Sequence, residues 1–372
     1  MTAVLRQREL NRATLARQLL LQRADRPVDE VVEHLVGLQA QTPHSWYVGL
    51  WSRIADFRAE QASGMLAERG LVRVALMRST IHLVTASDVR RLRAAVQPVL
   101  DRDLFANGTH GRPIRGVDAE ELASAGAALL AEQSMTAKQL GARLQNQWPD
   151  VPPTTLAYAV RNLLPLVQVP PRGLWGRSGP IAHTTADAWL GPDMSAAQPV
   201  AQVVLRFLAA FGPATVADVQ RWSGLTRLRE VIDPLRAELV TFRSEDGQEL
   251  FDLPDAPRPD AETPAPPRFL YDFDNLLLSH ADRSRVITDD FAVHSHRPHG
   301  PVPSVVLIDG FTGGDWTIAR DGDTATLTVR PYRALQASVA DELIAEGGRL
   351  VAFMDPDAVD RRVELTATVA TG

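Results

Sequence analysis

The sequence predicts an α+β protein in which a unit of helices closed by a strand pair occurs three times before a small β domain. Three observations carry this reading. The same order of helix, helix and hairpin recurs through residues 1–256. Two of the units share the pattern x-Thr-x-x-x-apolar, in Met135-Thr-Ala-Lys-Gln-Leu140 and Ala214-Thr-Val-Ala-Asp-Val219, where the threonine suits the cap of a second helix. The chain then changes character after 254–268, a stretch with 6 prolines in 15 residues that reads as a semi-rigid linker.

In the first unit, apolar spacing predicts a helix over 10–22 with Asn11 and Thr14 as early caps. Pro27, behind Asp25, opens a second helix over 28–41, and a third covers 58–68 with Gly70 closing it. The β-branched runs 71–78 and 80–85 read as two strands joined at Ser79. The second unit has helices over 119–133, 136–140 and 153–164, then a glycine-punctuated, strand-like piece from Leu166 to Gly179. The third has helices over 198–211, 215–219 and 225–239, then a hairpin over 240–253 about Asp246-Gly247. Helices followed by a short hairpin match the winged helix, a helix-turn-helix variant that lays one helix in a DNA groove. The prediction is therefore three tandem winged-helix (helix-turn-helix) units followed by a C-terminal small β-barrel. The boundaries are 1–115, 116–195, 196–256 and 257–372. In the last, strands are expected over 303–308, 315–318, 324–330, 350–353 and 363–369, with turns at Asp309-Gly310, Gly313-Gly314 and Asp321-Gly322 and a helix over 334–346.

Composition narrows the chemistry. At 45% hydrophobic and 23% charged, with no signal-like N-terminus and no apolar run of membrane length, the chain is expected to be cytoplasmic and free of the membrane. With no cysteine, disulfides, thiol catalysis and thiolate metal sites are excluded. The net charge of −6 is uneven: residues 1–115 carry +6 and the remainder −12. Lys138 is the only lysine, so Schiff-base chemistry would have to rest on it or on the N-terminal amine.

Within this frame, Gln39-Ala40-Gln41-Thr42-Pro43 stands out. Residues two apart on a helix point about 200° from each other, so the two amides could not share a site on a continuous helix. Pro43 is expected to end the helix near Gln41, at a bend where both side chains converge. The plain alternative is two polar residues on an amphipathic helix. Arg78 and Arg177 sit on candidate wings, where a phosphate contact and simple solubility are equally natural, and His82 alternates within a strand as a core histidine would. His294-Ser-His296-Arg-Pro-His299 reads as an exposed polar loop rather than a zinc site, and neither a phosphate loop nor a Gly-x-Ser-x-Gly elbow is present. No cofactor or metal is expected.

Three blocks, Leu38-Gln-Ala-Gln-Thr-Pro43, Met77-Arg-Ser-Thr-Ile-His-Leu-Val84 and the run from Arg268 to Arg283, together resemble the AlkZ/YcaQ family of bacterial winged-helix DNA glycosylases over essentially the whole chain. In that family a Gln-apolar-Gln motif is catalytic in the AlkZ branch, while the YcaQ branch ends it in Asp. The resemblance therefore implies that Gln39 and Gln41 are catalytic. Arg78, Ser79, Thr80, His82, Asn275, His280 and Arg283 from these blocks, with Trp175, Arg177 and Ser178 from the second candidate wing, are expected to serve DNA binding. The implied partner is double-stranded DNA with alkylated purines, bound by a monomer. The implied activity is excision of bulky N7-alkylpurines and, in some members, unhooking of interstrand crosslinks, in base excision repair and self-resistance to DNA-alkylating antibiotics. The amide pair suits such a substrate, because N7 alkylation makes the base cationic and a good leaving group that needs little acid catalysis. Hydrolysis by water would leave an abasic site without strand cleavage. A bulky base is expected to be read in place rather than flipped, with the hairpins near Trp175 and Gly313 as candidates for groove insertion. The alternative is a non-enzymatic winged-helix transcription regulator, which would tolerate alanine at both glutamines; a second is a small-molecule enzyme retaining the fold as scaffold.

Overall fold

The structure, a computed structural model, describes residues 3–192, 197–295 and 303–366. It is an α+β chain with three sheets. The helices of the first unit are Gln7–Arg17, Val28–His34, Trp46–Trp51 and Ala59–Ala67. Asn11 and Thr14 do not cap the first of these but are fully buried within it, and the Asn11 amide donates to the carbonyls of Arg285 (2.7 Å) and Gly310 (2.8 Å). The second helix stops at His34, well before Pro43. Val36 (φ 56°) and Gly37 (φ 87°) turn the chain in the left-handed region, and a Cβ at Gly37 would lie 2.6 Å from Val84 Cγ1. Leu38–Gln39 then enters a sheet as an edge strand.

That sheet joins the first two units. Its six strands run in the order Leu38–Gln39, Ile81–Thr85, Leu71–Ala75, Leu166–Gln168, Ala182–Thr185, Met135–Thr136, every pair antiparallel. The hairpin Leu71–Ala75 and Ile81–Thr85 turns through Met77–Ser79, where Arg78 (φ 55°) and Ser79 (φ 58°) are both left-handed. After it comes a 21-residue helix, Ala86–Ala106, which the sequence reading passes over; Val89, Leu92, Val96, Val99, Leu100 and Leu104 bury its inner face. The second unit has its own core of Leu122, Leu130, Leu140, Leu156 and Val160. Thr136 and Thr215 cap the helices Ala137–Leu144 and Val216–Ser223 as the shared pattern predicts. In the third unit the helix expected over 225–239 is reduced to Arg229–Ile232 and a 3-10 turn, Asp233–Ala237, because Pro234 cannot continue it. The hairpin Val240–Ser244 and Glu249–Asp252 accepts Val4–Leu5 as a parallel third strand.

The proline-rich stretch is strapped down rather than free. Arg8, Arg12 and Arg17 of the first helix donate to the carbonyls of Ala261 (2.8 Å), Thr263 (2.6 Å) and Pro257 (3.2 Å). Beyond it, Arg268–Phe269, Ser304–Ile308, Phe311–Asp321, Thr324–Pro331 and Asp360–Leu365 form an open sheet in that order, and the pairings among the described residues do not close it into a barrel. Two local expectations are corrected. Gly313-Gly314 is no turn but lies inside Phe311–Asp321, where a Cβ at Gly314 would come within 2.8 Å of the Arg330 carbonyl oxygen. Residues 350–353 belong to the helix Ala337–Met354, whose buried Leu343, Gly347, Leu350 and Val351 keep helical spacing against the sheet. The final expected strand is present as Asp360–Leu365, and 367–369 lie outside the described residues. No helix among the described residues is long and apolar enough to cross a membrane.

Candidate active site

Gln39 ends the strand Leu38–Gln39 and Gln41 follows at a bend, so the motif is not helical and helix geometry does not relate its two amides. What brings the pair together is a shared neighbour: both side chains meet donors of the 78–81 stretch, Gln39 through Arg78 and Gln41 through Ile81. Ala40 continues the ladder beyond Gln39 by donating to the Ile81 carbonyl at 2.7 Å. Gln39 is only 4% exposed, whereas Gln41 stands at the surface.

Nearly every polar group of the segment has a defined partner from a distant part of the chain. Asn275 donates its amide to the Gly37 carbonyl (2.6 Å) and accepts the Gln39 backbone N–H (3.1 Å). The Tyr271 hydroxyl donates to the Gln39 carbonyl at 2.9 Å, and the buried Arg73 guanidinium donates to the Ala40 carbonyl at 2.7 Å. Thr42 Oγ1 donates to Asp272 Oδ2 at 2.6 Å, while Asp272 Oδ1 is buried with no donor. Burial pushes the Tyr271 phenol well above its ordinary range, so it remains a donor at neutral pH. Arg53, paired to both oxygens of Asp274 at 2.7 and 2.8 Å, anchors the start of the short helix Asn275–Leu278. The aromatic run packs on the same segment: a Cβ at Gly49 would meet the Tyr271 ring at 2.7 Å.

The two side-chain amides are oriented by donors. Arg78 Nη2 donates to Gln39 Oε1 at 2.7 Å, and the Ile81 N–H donates to Gln41 Oε1 at 3.3 Å. Because each partner can only donate, the atom it faces must be oxygen. The Gln39 nitrogen meets no acceptor among the described residues, so its NH2 is left to donate. Arg78 also donates to the Trp222 carbonyl, which ties the first unit to the third. Burial lowers the Arg78 pKa to about 10, with Arg221 adding to the shift; the group remains a cation at neutral pH.

The other residues assigned to DNA binding divide by exposure. Ser79 bonds Asp103 (2.8 Å) and Asn162 (3.2 Å), and Thr80 donates to the Met77 carbonyl (3.0 Å), so the turn is fixed inside the molecule. His82 is buried against the Thr80 carbonyl, and desolvation pushes its pKa down to about 3. His280 is buried with Nε2 3.1 Å from the Phe211 carbonyl oxygen, and Asn275 is enclosed beneath Gln39. None of these three offers a surface to DNA in this structure; Asn275 instead holds the motif. Trp175 is half-buried between Tyr47 and Phe353, with ring centroids 4.8 and 5.3 Å away, and is thus a packing residue here. Arg177, Ser178 and Arg283 are exposed. The turn nearest Gly313, Asp309-Gly310, is held against the first helix by Arg8 and Arg12 rather than free to enter a groove. Among the described residues no group of three or more His, Asp or Glu could hold a metal; His294 lies on the helix Asp289–Ser295, and His296 and His299 fall outside the described residues.

Arg73, Tyr271 and Asp272 were not picked out from the sequence. An arginine inside the apolar run Leu71-Val-Arg-Val-Ala75 is the signal that could have found the first. The latter two lie in the Arg268–Arg283 block.

In this α+β chain a strand end and the bend after it carry two amides, each oriented by a donor and backed by Arg73, Tyr271 and Asn275. The family model described as "DNA glycosylase AlkZ-like" matches residues 32–353, and the chain belongs to that family of DNA glycosylases. Among solved structures, the fold is similar to the Streptomyces sahachiroi DNA glycosylase AlkZ, with a TM-score of 0.77 and 22% identity, covering 98% of this chain and 100% of that one. No curated protein matches the sequence.

Proposed function

We propose that the chain is a monofunctional glycosylase that hydrolyses the N-glycosidic bond of N7-alkylated, cationic purines in duplex DNA, including bulky adducts and crosslinked bases. In this reading the three helix-and-hairpin units, 1–115, 116–195 and 196–256, are winged helices that cradle the duplex, 257–372 is a barrel-like end domain, and the protein acts as a monomer. The single observation that carries the proposal is the Gln39 amide, its oxygen fixed by Arg78 and its NH2 without an acceptor among the described residues. The NH2 of Gln39 donates to a water oxygen, and the remaining lone pair of the Gln41 carbonyl accepts one of that water's hydrogens. As the C1′–N9 bond breaks, its electron pair neutralises the cationic base, and the held water forms the new C1′–O bond to the oxocarbenium-like centre, then loses its proton to solvent. Gln is a poor general base, so the leaving group must already be charged.

The test compares excision from duplexes containing one 7-methylguanine or one uracil under single-turnover conditions. Strong preference for 7-methylguanine supports the proposal. Comparable excision of the neutral base would show that the site supplies the acid or base catalysis its residues lack.

A further inference from the structure

A cleft of about 520 Å³ opens beside Arg78, between the turn 77–79, the end of the helix Ala86–Ala106 and the end of the helix Val216–Ser223. Its floor is built by close approach. Gly224 ends the last helix at φ 81°, and a Cβ there would lie 2.9 Å from Val99 Cγ1 and 3.4 Å from the Arg78 Cα. Three guanidinium groups line it: Arg78, Arg102 and Arg221. Arg102 touches only the Gly224 carbonyl, at 3.2 Å, and Arg221 has no hydrogen-bond or ion-pair partner among the described residues. The one carboxylate at the cleft, Asp103, is engaged by the Ser79 hydroxyl (2.8 Å) and by the Tyr158 hydroxyl. Both bonds fall on Asp103 Oδ2, and the cleft thus gathers three guanidinium groups against one carboxylate, an excess of positive charge.

Like charges gathered in a concave site repel unless an anion joins them, and guanidinium groups match the geometry of phosphate oxygens. One wall of the cleft is the side chain that fixes Gln39. We propose that this cleft binds one backbone phosphodiester of the strand carrying the reacting nucleotide, with Arg102 and Arg221 as its ligands and Arg78 linking it to Gln39. A phosphate seated there sets the position of the neighbouring sugar relative to the amide pair. The inference rests on the proposed function for the identity of the strand but not for the existence of the anion site.

The experiment pairs protein and DNA changes. Wild type and the Arg102→Ala/Arg221→Ala variant are titrated with duplexes carrying 7-methylguanine and one uncharged methylphosphonate at successive positions around it. Both arginines are exposed, so the variant is expected to keep the wild-type melting curve. The expected result is one position where the methylphosphonate weakens wild-type binding at least tenfold and leaves the variant unaffected. The variant should bind the all-phosphate duplex correspondingly more weakly, with a salt slope smaller by about 0.9 for the one phosphate lost. Wild-type affinity and salt slope in the variant, or losses that add in full at every position, would overturn the proposal. Binding is read separately from excision, so a wild type that binds without releasing base would refute the glycosylase reading and still decide the cleft.

Discussion

The Arg78 guanidinium donates to the Gln39 side-chain oxygen at 2.7 Å from a turn in which Arg78 and the next residue both adopt left-handed backbone angles. Such a conformation is costly for residues with side chains and persists only where surrounding contacts impose it. Here they do: Ser79 is tied to Asp103 and Asn162, and Arg161 donates to the Ser79 carbonyl at 2.7 Å. The rigid turn therefore decides which end of the Gln39 amide is held and which is left to donate.

Replacing Arg78 by Met is predicted to leave the Gln39 and Trp222 oxygens without their donor, lowering stability by roughly 1–3 kcal/mol. The amide would then be free to rotate. Urea denaturation should show the stability loss, and single-turnover excision should fall further than duplex affinity does.

Asn275→Ala removes both hydrogen bonds that clamp Gly37 and Gln39, again at a cost on the order of 1–3 kcal/mol. Because Asn275 is buried, its loss is expected to slow base release while changing the salt dependence of duplex binding little. A large drop in that salt slope would mean the side chain meets phosphate instead.

Lys138 is exposed on the helix Ala137–Leu144 of the second unit. Lys138→Arg is predicted to excise like wild type, and borohydride should trap no covalent adduct with either protein. Strand cleavage or trapping that disappears in the variant would assign the lysine a lyase role.

His82, held at about 3 by burial, shapes the acid stability of the fold. The unfolded chain takes up a proton near pH 6.5 that the folded chain refuses until about 3, so stability is full above the first value and declines as pH falls between them. The decline is about 1.4 kcal/mol per pH unit for this one group. Urea unfolding from pH 7 to pH 4.5 should show it, and a folded His82→Gln variant should show a shallower slope.

The glutamine pair was legible from its place before Thr-Pro, but the element bearing it was not. Gly37 is the true stop signal, and Pro43 drew the expected helix end too far along the chain. The caps at Thr136 and Thr215 were readable because they depend on a few neighbouring residues. The apolar run Leu350-Val-Ala-Phe353 was ambiguous on its own, since helix and buried strand give the same short pattern. What one sequence cannot display is pairing across distance. Asn275 reaches Gln39 over 236 residues, and Arg73 reaches Ala40 only once the sheet places their strands together. Thus the motif could be located, while the groups that orient it came from the fold.

The most direct measurement is single-turnover release of 7-methylguanine from duplex DNA by wild type, Gln39→Ala, Gln41→Ala and the double variant, with abasic sites revealed by alkali. Gln41 is exposed and its side chain makes one long hydrogen bond, from the Ile81 N–H at 3.3 Å, so its replacement should lower stability little and leave a folded protein in which the chemistry can be read. The predicted result is a loss of at least about 100-fold in each single variant, with the double variant little worse than the poorer single, as expected of residues acting on one water. Wild-type rates in a folded Gln41→Ala protein, or in the double variant, would contradict the assignment of the amide pair as the catalytic groups.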